Sequence, residues 1–258
     1  CLALALLAIY PMVSVLQIVI ERGAPVISRE FLSGTPEPPF LPGGGIRHAI
    51  VGTGIVVALG TLLGAPIGLV AGTYLSEVGR GRLASVLRTV VDAMAGVPSI
   101  VAGLFGYAAV VAKYGYSAWA GAVALALIMV PTVTRTTEEA LRTVPRSLRE
   151  GGLALGAPRW HTTLLLVFPS AMGAVLTGLL LSTARIAGET APLLLTVLTS
   201  FYVTTDPSQP MATLPYLIYD YGKAAYPKLN DHAWGAALVL LSMVLLVNIT
   251  VRLLAWRR

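Results

Sequence analysis

The chain has 258 residues, of which 56% are apolar and only 12% charged, with a formal net charge of +6. That balance excludes an ordinary soluble domain and places the chain among membrane proteins. Its basic residues sit at the ends of apolar runs without interleaved aromatics, which argues against nucleic acid as a partner.

A membrane span needs about 20 apolar residues. Charge-free windows predict spans at Leu2 to Ile20, Ala49 to Leu75, Ala93 to Ala112, Tyr114 to Thr134, His161 to Ala184 and Ala233 to Val251. The expected fold is therefore all-α, with six transmembrane helices in one domain over residues 1–258. The chain starts at Cys1 rather than Met and runs straight into apolar sequence, so its N-terminus is expected to be truncated. The first polar stretch, Glu21 to Gly45, contains PEPPFLPGGG, whose prolines and glycines predict an extended linker. The second span carries Gly60, Gly64, Gly68 and Gly72 at intervals of four, a ridge for close helix approach. Spacing alone leaves open a dimer face or packing within the same chain. Pro66 and Pro98 predict kinks.

Between spans four and five, Ser147-Leu148-Arg149-Glu150 reads as a capping box, with Ser147 and Glu150 exchanging bonds to each other's amides. Gly156, in the left-handed conformation, and Pro158 then end a helix of about two turns. Arg185 and Glu189 are the charges inside the apolar stretch Leu164 to Val203, where charge costs at least about 2.5–3.5 kcal/mol and is seldom accidental. Gly188 invites a break there, and Thr190 with Pro192 opens a second short helix, so that Arg185 and helix amides can line an anion path. Thr190 to Val203 is too short to cross and reads as re-entrant or interfacial. The stretch from Thr204 to His232 returns as a tyrosine-rich loop, whose aromatics suit a membrane interface belt.

Counting basic residues orients the chain with both termini in the cytoplasm. Arg80, Arg82, Arg88, Arg135, Arg142, Arg146, Arg149, Arg159, Arg252, Arg257 and Arg258 fall inside, against Arg22, Arg29, Arg47, Lys113, Lys223 and Lys228 outside. No stretch matches G-x-x-x-x-G-K-[ST], so ATP chemistry is not expected of this chain, and no cofactor or catalytic residue is predicted. His48, His161 and His232 fall in three separate loops and are not spaced as metal ligands.

Glu150, Gly151, Gly152, Gly156, Leu166, Phe168 and Pro169 follow the frame E-A-A, three residues, G, nine residues, I-x-L-P, with four side chains departing from it. This frame resembles the loop by which membrane-spanning subunits of ABC importers dock on their ATPase. ARIAGETAPLL, Ala184 to Leu194, resembles the signature of the PstA-type permease family of phosphate importers, as do GVPSIVAGLFGY at Gly96 to Tyr107 and the stretch Arg135 to Trp160. The resemblance covers the chain from Ile46 onward, a core of about 46–256. It implies a plasma-membrane permease for inorganic phosphate, working with a PstC-like second permease, a PstB-like ATPase dimer and a phosphate-binding protein on the outer face. It further implies that Arg149, Glu150, Gly151, Gly152 and Gly156 form a cytoplasmic coupling helix, while Arg185, Glu189 and Thr190 line the substrate pathway. The rival readings are an ABC permease for another oxyanion or small solute, and an ATP-independent secondary anion transporter.

Overall fold

The computed structural model describes residues 2–256; Cys1, Arg257 and Arg258 lie outside them, as does the side chain of Arg252. Among the described residues all regular structure is helical, without strands. Helix α1 spans Leu2–Gly23 and α2 Arg29–Ser33. Helix α3, Arg47–Thr73, runs on through a π-turn at Tyr74–Val78. Then come α4, Gly81–Ala95, and α5, Ser99–Gly106, which continues through a π-turn at Tyr107–Val111 into α6, Ala112–Tyr114. Helix α7 is Ala118–Arg142, α8 Arg146–Ala154 and α9 Arg159–Thr162; the last passes through a third π-turn, Thr163–Val167, into α10, Phe168–Ala187. Three helices close the chain: α11, Ala191–Thr196; α12, Leu214–Gly222; and α13, Pro227–Trp256.

Four of these, Arg47–Val78, Ala118–Arg142, Arg159–Ala187 and Pro227–Thr250, are long and apolar enough to cross a membrane. The third expected span, Ala93 to Ala112, is not one helix. Gly96, Val97 and Pro98 separate α4 from α5, and the two meet at a bend of 100°. Pro98 supplies no N–H and disfavours helical backbone before it, so the apolar run breaks instead of kinking. The remaining expected span corresponds to α1, which packs along α13: a side chain at Gly23 would meet Leu238 Cβ at 2.9 Å. Helix α7 also outlasts the predicted span. Arg135 and Arg142 stand on helix rather than loop.

The glycine ridge settles on α7 of the same chain. A Cβ at Gly64 would lie 3.1 Å from Met129 Cβ, one at Gly68 2.6 Å from Val133 Cβ, and one at Gly72 2.7 Å from Thr137 Cβ. Small residues at intervals of four let the two backbones approach with nothing between them. Val56, Leu125, Met129, Val133, Ile186 and Leu193 pack into the resulting core.

At the start of α3 a second core covers one end of the bundle. Here the expectation of an extended linker at Glu21 to Gly45 is corrected for its first part, which holds α2, while PEPPFLPGGG itself has neither helix nor strand, as expected. Ser28 caps α2 by accepting from the Phe31 amide at 3.0 Å, and Phe31 is buried with Ile46, Ala49, Leu214, Leu217 and Ala236. Prolines forbid regular structure only where they stand, and α2 precedes them. The Lys228 ammonium donates to the Leu41 carbonyl and, at 3.3 Å, to that of Pro38, which fastens the Pro-rich stretch to α13. Two histidines move as well: His48 is a buried residue of α3, and His232 stands within α13, edge-on to Phe31 at 5.1 Å. His161 lies in α9, against Trp160.

Candidate functional site

Helix α10 ends at Ala187, with Gly188 at its C-cap, so the chain breaks where the sequence suggested. Helix α11 follows with Pro192 in its first turn, but Thr190, at its N-cap, makes no side-chain cap. Arg185 and Glu189 sit at this break. Both line a cavity of about 310 Å³ together with Ser99 of α5, Pro131 and Thr132 of α7, and Val97 at the α4–α5 bend. Among the described residues neither charge makes an ion pair, although they are one turn apart. Thr190 does not line this cavity, and Pro192 is taken up by packing, since a Cβ at Gly103 would meet its Cα at 2.7 Å.

The helix start that does reach the cavity is that of α5, through Ser99. At this start the Val101 amide bonds the Pro98 carbonyl at 2.9 Å, and the Ser99 and Ile100 amides before it carry partial positive charge. Pro131 adds a complementary group, because its missing N–H leaves the Leu127 carbonyl without its usual donor, and Leu127 lines the same cavity. An unpaired cation, an unpaired carboxylate and the first residue of α5 thus share one chamber walled largely by apolar residues. Such a chamber can attract an anion without holding it through a closed set of contacts.

At the far end of α3 the charges are arranged differently. Arg149 of α8 grips Glu77 with two hydrogen bonds, 2.9 Å from Nε and 2.7 Å from Nη2, and gives two more to the Leu141 and Val144 carbonyls. The bonds to Glu77 raise the pKa of the Arg149 guanidinium above its ordinary value, so it stays charged at any working pH. Nearby, Glu138 is almost fully buried and accepts from Arg88 at 2.9 Å and Arg142 at 2.6 Å, with Arg135 at 3.6 Å. Arg135 also pairs with Asp92, which ties α4 to α7. Glu77, Arg88, Asp92 and Glu138 were missed from the sequence. For Glu138 a signal existed, since Arg135 and Arg142 flank it at helical spacings of three and four.

Helix α8 corrects the capping-box reading. Its N-cap is Pro145, two residues before Ser147, so that Arg146 opens the helix and no side-chain cap is made. Proline at the preceding position already fixes the entry, so Ser147 lies inside the first turn. Its end is as expected. Gly156 has φ +83°, its N–H bonds the Leu153 carbonyl at 2.9 Å, and Ala157 reaches back to Gly152 at 3.2 Å, a Schellman closure. Glu150 and Gly151 are exposed, whereas Gly152 is buried against Thr162 and Leu166, so the five predicted coupling residues divide between two faces. Arg149, turned onto Glu77, belongs to the inner one. Leu153, Leu155 and Trp160, which follow Glu150 in the chain, are exposed apolar side chains at this end.

Comparison with known proteins gives a consistent family. The profile described as "Binding-protein-dependent transport system inner membrane component" matches residues 64–256. The phosphate transport system permease protein PstA of Pasteurella multocida (strain Pm70) is 44% identical over 237 residues, which is 91% of this chain and 84% of that protein. The protein of the same name from Yersinia pestis is 40% identical over 98% of this chain and 86% of its own length. Among solved structures, an inward-facing MetNI methionine ABC transporter covers 82% of this chain and 96% of its own, with a TM-score of 0.69 at 18% identity, and so supports the fold alone.

Proposed function

The chain belongs to the family of binding-protein-dependent transport system inner membrane components, and from that premise we propose that it is the permease subunit of an ATP-driven importer of inorganic phosphate. The observation that carries this reading is identity of 40% or more to PstA proteins along nearly the whole chain. It is a multi-pass membrane protein and a transporter component. ATP is hydrolysed by a separate PstB-like ATPase dimer, a PstC-like permease completes the pathway, and a phosphate-binding protein delivers the ion at the outer face. One transmembrane domain of six spans, α1 and the bent α4–α5 pair included, has both termini in the cytoplasm, and the α8 end faces inward. Two features support this orientation: the excess of arginine at that end and the lid of α2 and α12 at the other.

In this mechanism phosphate passes the Arg185 cavity. Arg185 and the α5 amides draw the oxyanion in, and Glu189 lowers the net positive charge so that the ion leaves again. Glu150 and the exposed Leu153, Leu155 and Trp160 meet the ATPase. Closure of the ATPase dimer pushes α8, and the Arg149–Glu77 bracket passes that displacement to α3 while Gly152, seated on Thr162 and Leu166, passes it to the start of α9–α10.

Copurification from membranes, with identification of the attached subunits, tests the class. Reconstitution of that assembly into liposomes tests the cargo. Phosphate accumulation that requires ATP and the binding protein is expected; assembly without an ATPase, or ATP-driven uptake of another solute in place of phosphate, contradicts the reading.

A further inference from the structure

Where α8 packs between the end of α3 and the start of α9, Glu77, Arg80, Arg149, Leu153, Arg159 and Thr163 line a small cavity of about 150 Å³. Its charges do not cancel. Glu77 is neutralised by Arg149 and also accepts from the Ser76 hydroxyl at 2.9 Å, so its carboxylate is fully engaged. Arg149 spends four of its five N–H donors on Glu77 and two carbonyls. Arg80 and Arg159 make no ion pair among the described residues. Two guanidinium groups without ion-pair partners among the described residues line one small cavity, and an anion between them would offset their mutual repulsion. The half-buried Thr163 hydroxyl, at the first position of the third π-turn, makes no side-chain hydrogen bond among the described residues and offers a further donor. Such turns occur often at functional sites.

The chemistry that fits two forked cations and a hydroxyl is a tetrahedral oxyanion with several acceptor edges, because guanidinium matches phosphate oxygens in pairs. We propose that this cavity binds a phosphate group, supplied either by the headgroup of an anionic membrane lipid or by free inorganic phosphate. Arg80 precedes α4 and Arg159 opens α9, so a bound phosphate closes a second bracket around α8, beside the one Arg149 makes with Glu77. Basic pockets at the cytoplasmic ends of membrane helices are recurrent lipid-headgroup sites. The cavity shares no lining residue with the Arg185 chamber. The inference therefore stands apart from the transport pathway.

The assembled transporter, purified from membranes, is the material for the test. Native mass spectrometry in the presence of phosphatidylglycerol or of phosphatidylcholine counts retained lipids, and equilibrium dialysis against radiolabelled inorganic phosphate counts the free ion. Arg80 and Arg159 are exposed, so Arg80→Gln/Arg159→Gln is expected to fold and assemble. This double variant should bind one equivalent fewer of phosphatidylglycerol if a lipid is the source, or one fewer of phosphate if the free ion is. Its affinity should fall by roughly a hundredfold or more, the sum of two charge-assisted contacts. Arg80→Lys/Arg159→Lys should keep part of the binding, and Arg185→Gln should keep this equivalent whatever it does to uptake. Equal lipid and equal phosphate retention by wild type and Arg80→Gln/Arg159→Gln overturns the proposal.

Discussion

Arg149 and Arg185 are the same side chain in opposite circumstances. Arg149 gives four hydrogen bonds, two of them to a carboxylate that is itself nearly buried, whereas Arg185 lines a cavity and has no ion-pair partner among the described residues. Withdrawing the first would orphan Glu77 and two carbonyls, so it acts as an anchor. The second loses nothing by turning to a visiting anion. The Glu138 cluster repeats the anchored pattern, with three arginines converging on one buried carboxylate to hold α4 and α7 together. Charge near a membrane is therefore held in two ways in this chain, and partnership separates them: paired networks tie α3 to α8 and α4 to α7, whereas Arg185 and Glu189 at the α10 break make no ion pair among the described residues and, on the proposed function, serve the pathway.

The contrast breaks first where the network is densest. Glu138→Gln leaves three guanidinium groups without their common carboxylate and should cost about 3–5 kcal/mol, toward the lower end because the arginines are partly exposed. Chemical denaturation of the purified protein reads that loss as a lower midpoint, and an unchanged midpoint would remove Glu138 from the frame. Arg149→Ala should come next, at about 3 kcal/mol, because Glu77 stays buried with only Ser76 for company. Its distinguishing effect is functional: ATP hydrolysis should persist while uptake falls, as α8 is no longer tied to α3. Equal loss of both activities would mean that the bracket stabilises the assembly without transmitting motion. The smallest change is Gly156→Ala. A side chain at φ +83° strains the Schellman closure by roughly 1–2 kcal/mol, enough to fray the last turn of α8 and weaken ATPase retention in a copurification assay. Retention equal to wild type would place the docking contact on the first turns of α8 instead.

Much of this was legible in the sequence, and the exceptions have physical causes. Apolar length marked α3, α7, α10 and α13, because a helix in lipid must satisfy its backbone internally and so declares itself by composition. The glycine ridge announced a close helix contact but not its partner, since spacing describes one surface and α7 had to be folded against it. Arg185, Glu189 and the Gly188 break were readable from charge inside an apolar run. That Thr190 would stay out of the cavity and Ser99 enter it was not, because α5 lies far away in sequence and arrives only through the bend at Gly96 to Pro98. Glu77 escaped for the same reason: its partner Arg149 is distant along the chain, and no local pattern links a carboxylate at one helix end to an arginine on a later, shorter helix. The capping box failed differently, as Pro145 took over the helix entry that Ser147 was expected to supply.

The central claim is that the unpaired arginine carries transport while the paired ones carry structure, and Arg185→Gln tests it most directly. Phosphate uptake into liposomes containing the reconstituted transporter is measured for this variant, for Arg185→Lys and for wild type, with assembly checked by copurification of the ATPase. The account predicts normal assembly for all three, no uptake by Arg185→Gln and weak uptake by Arg185→Lys, whose compact ammonium lacks the planar fork. Near-normal uptake by a fully assembled Arg185→Gln transporter would contradict it.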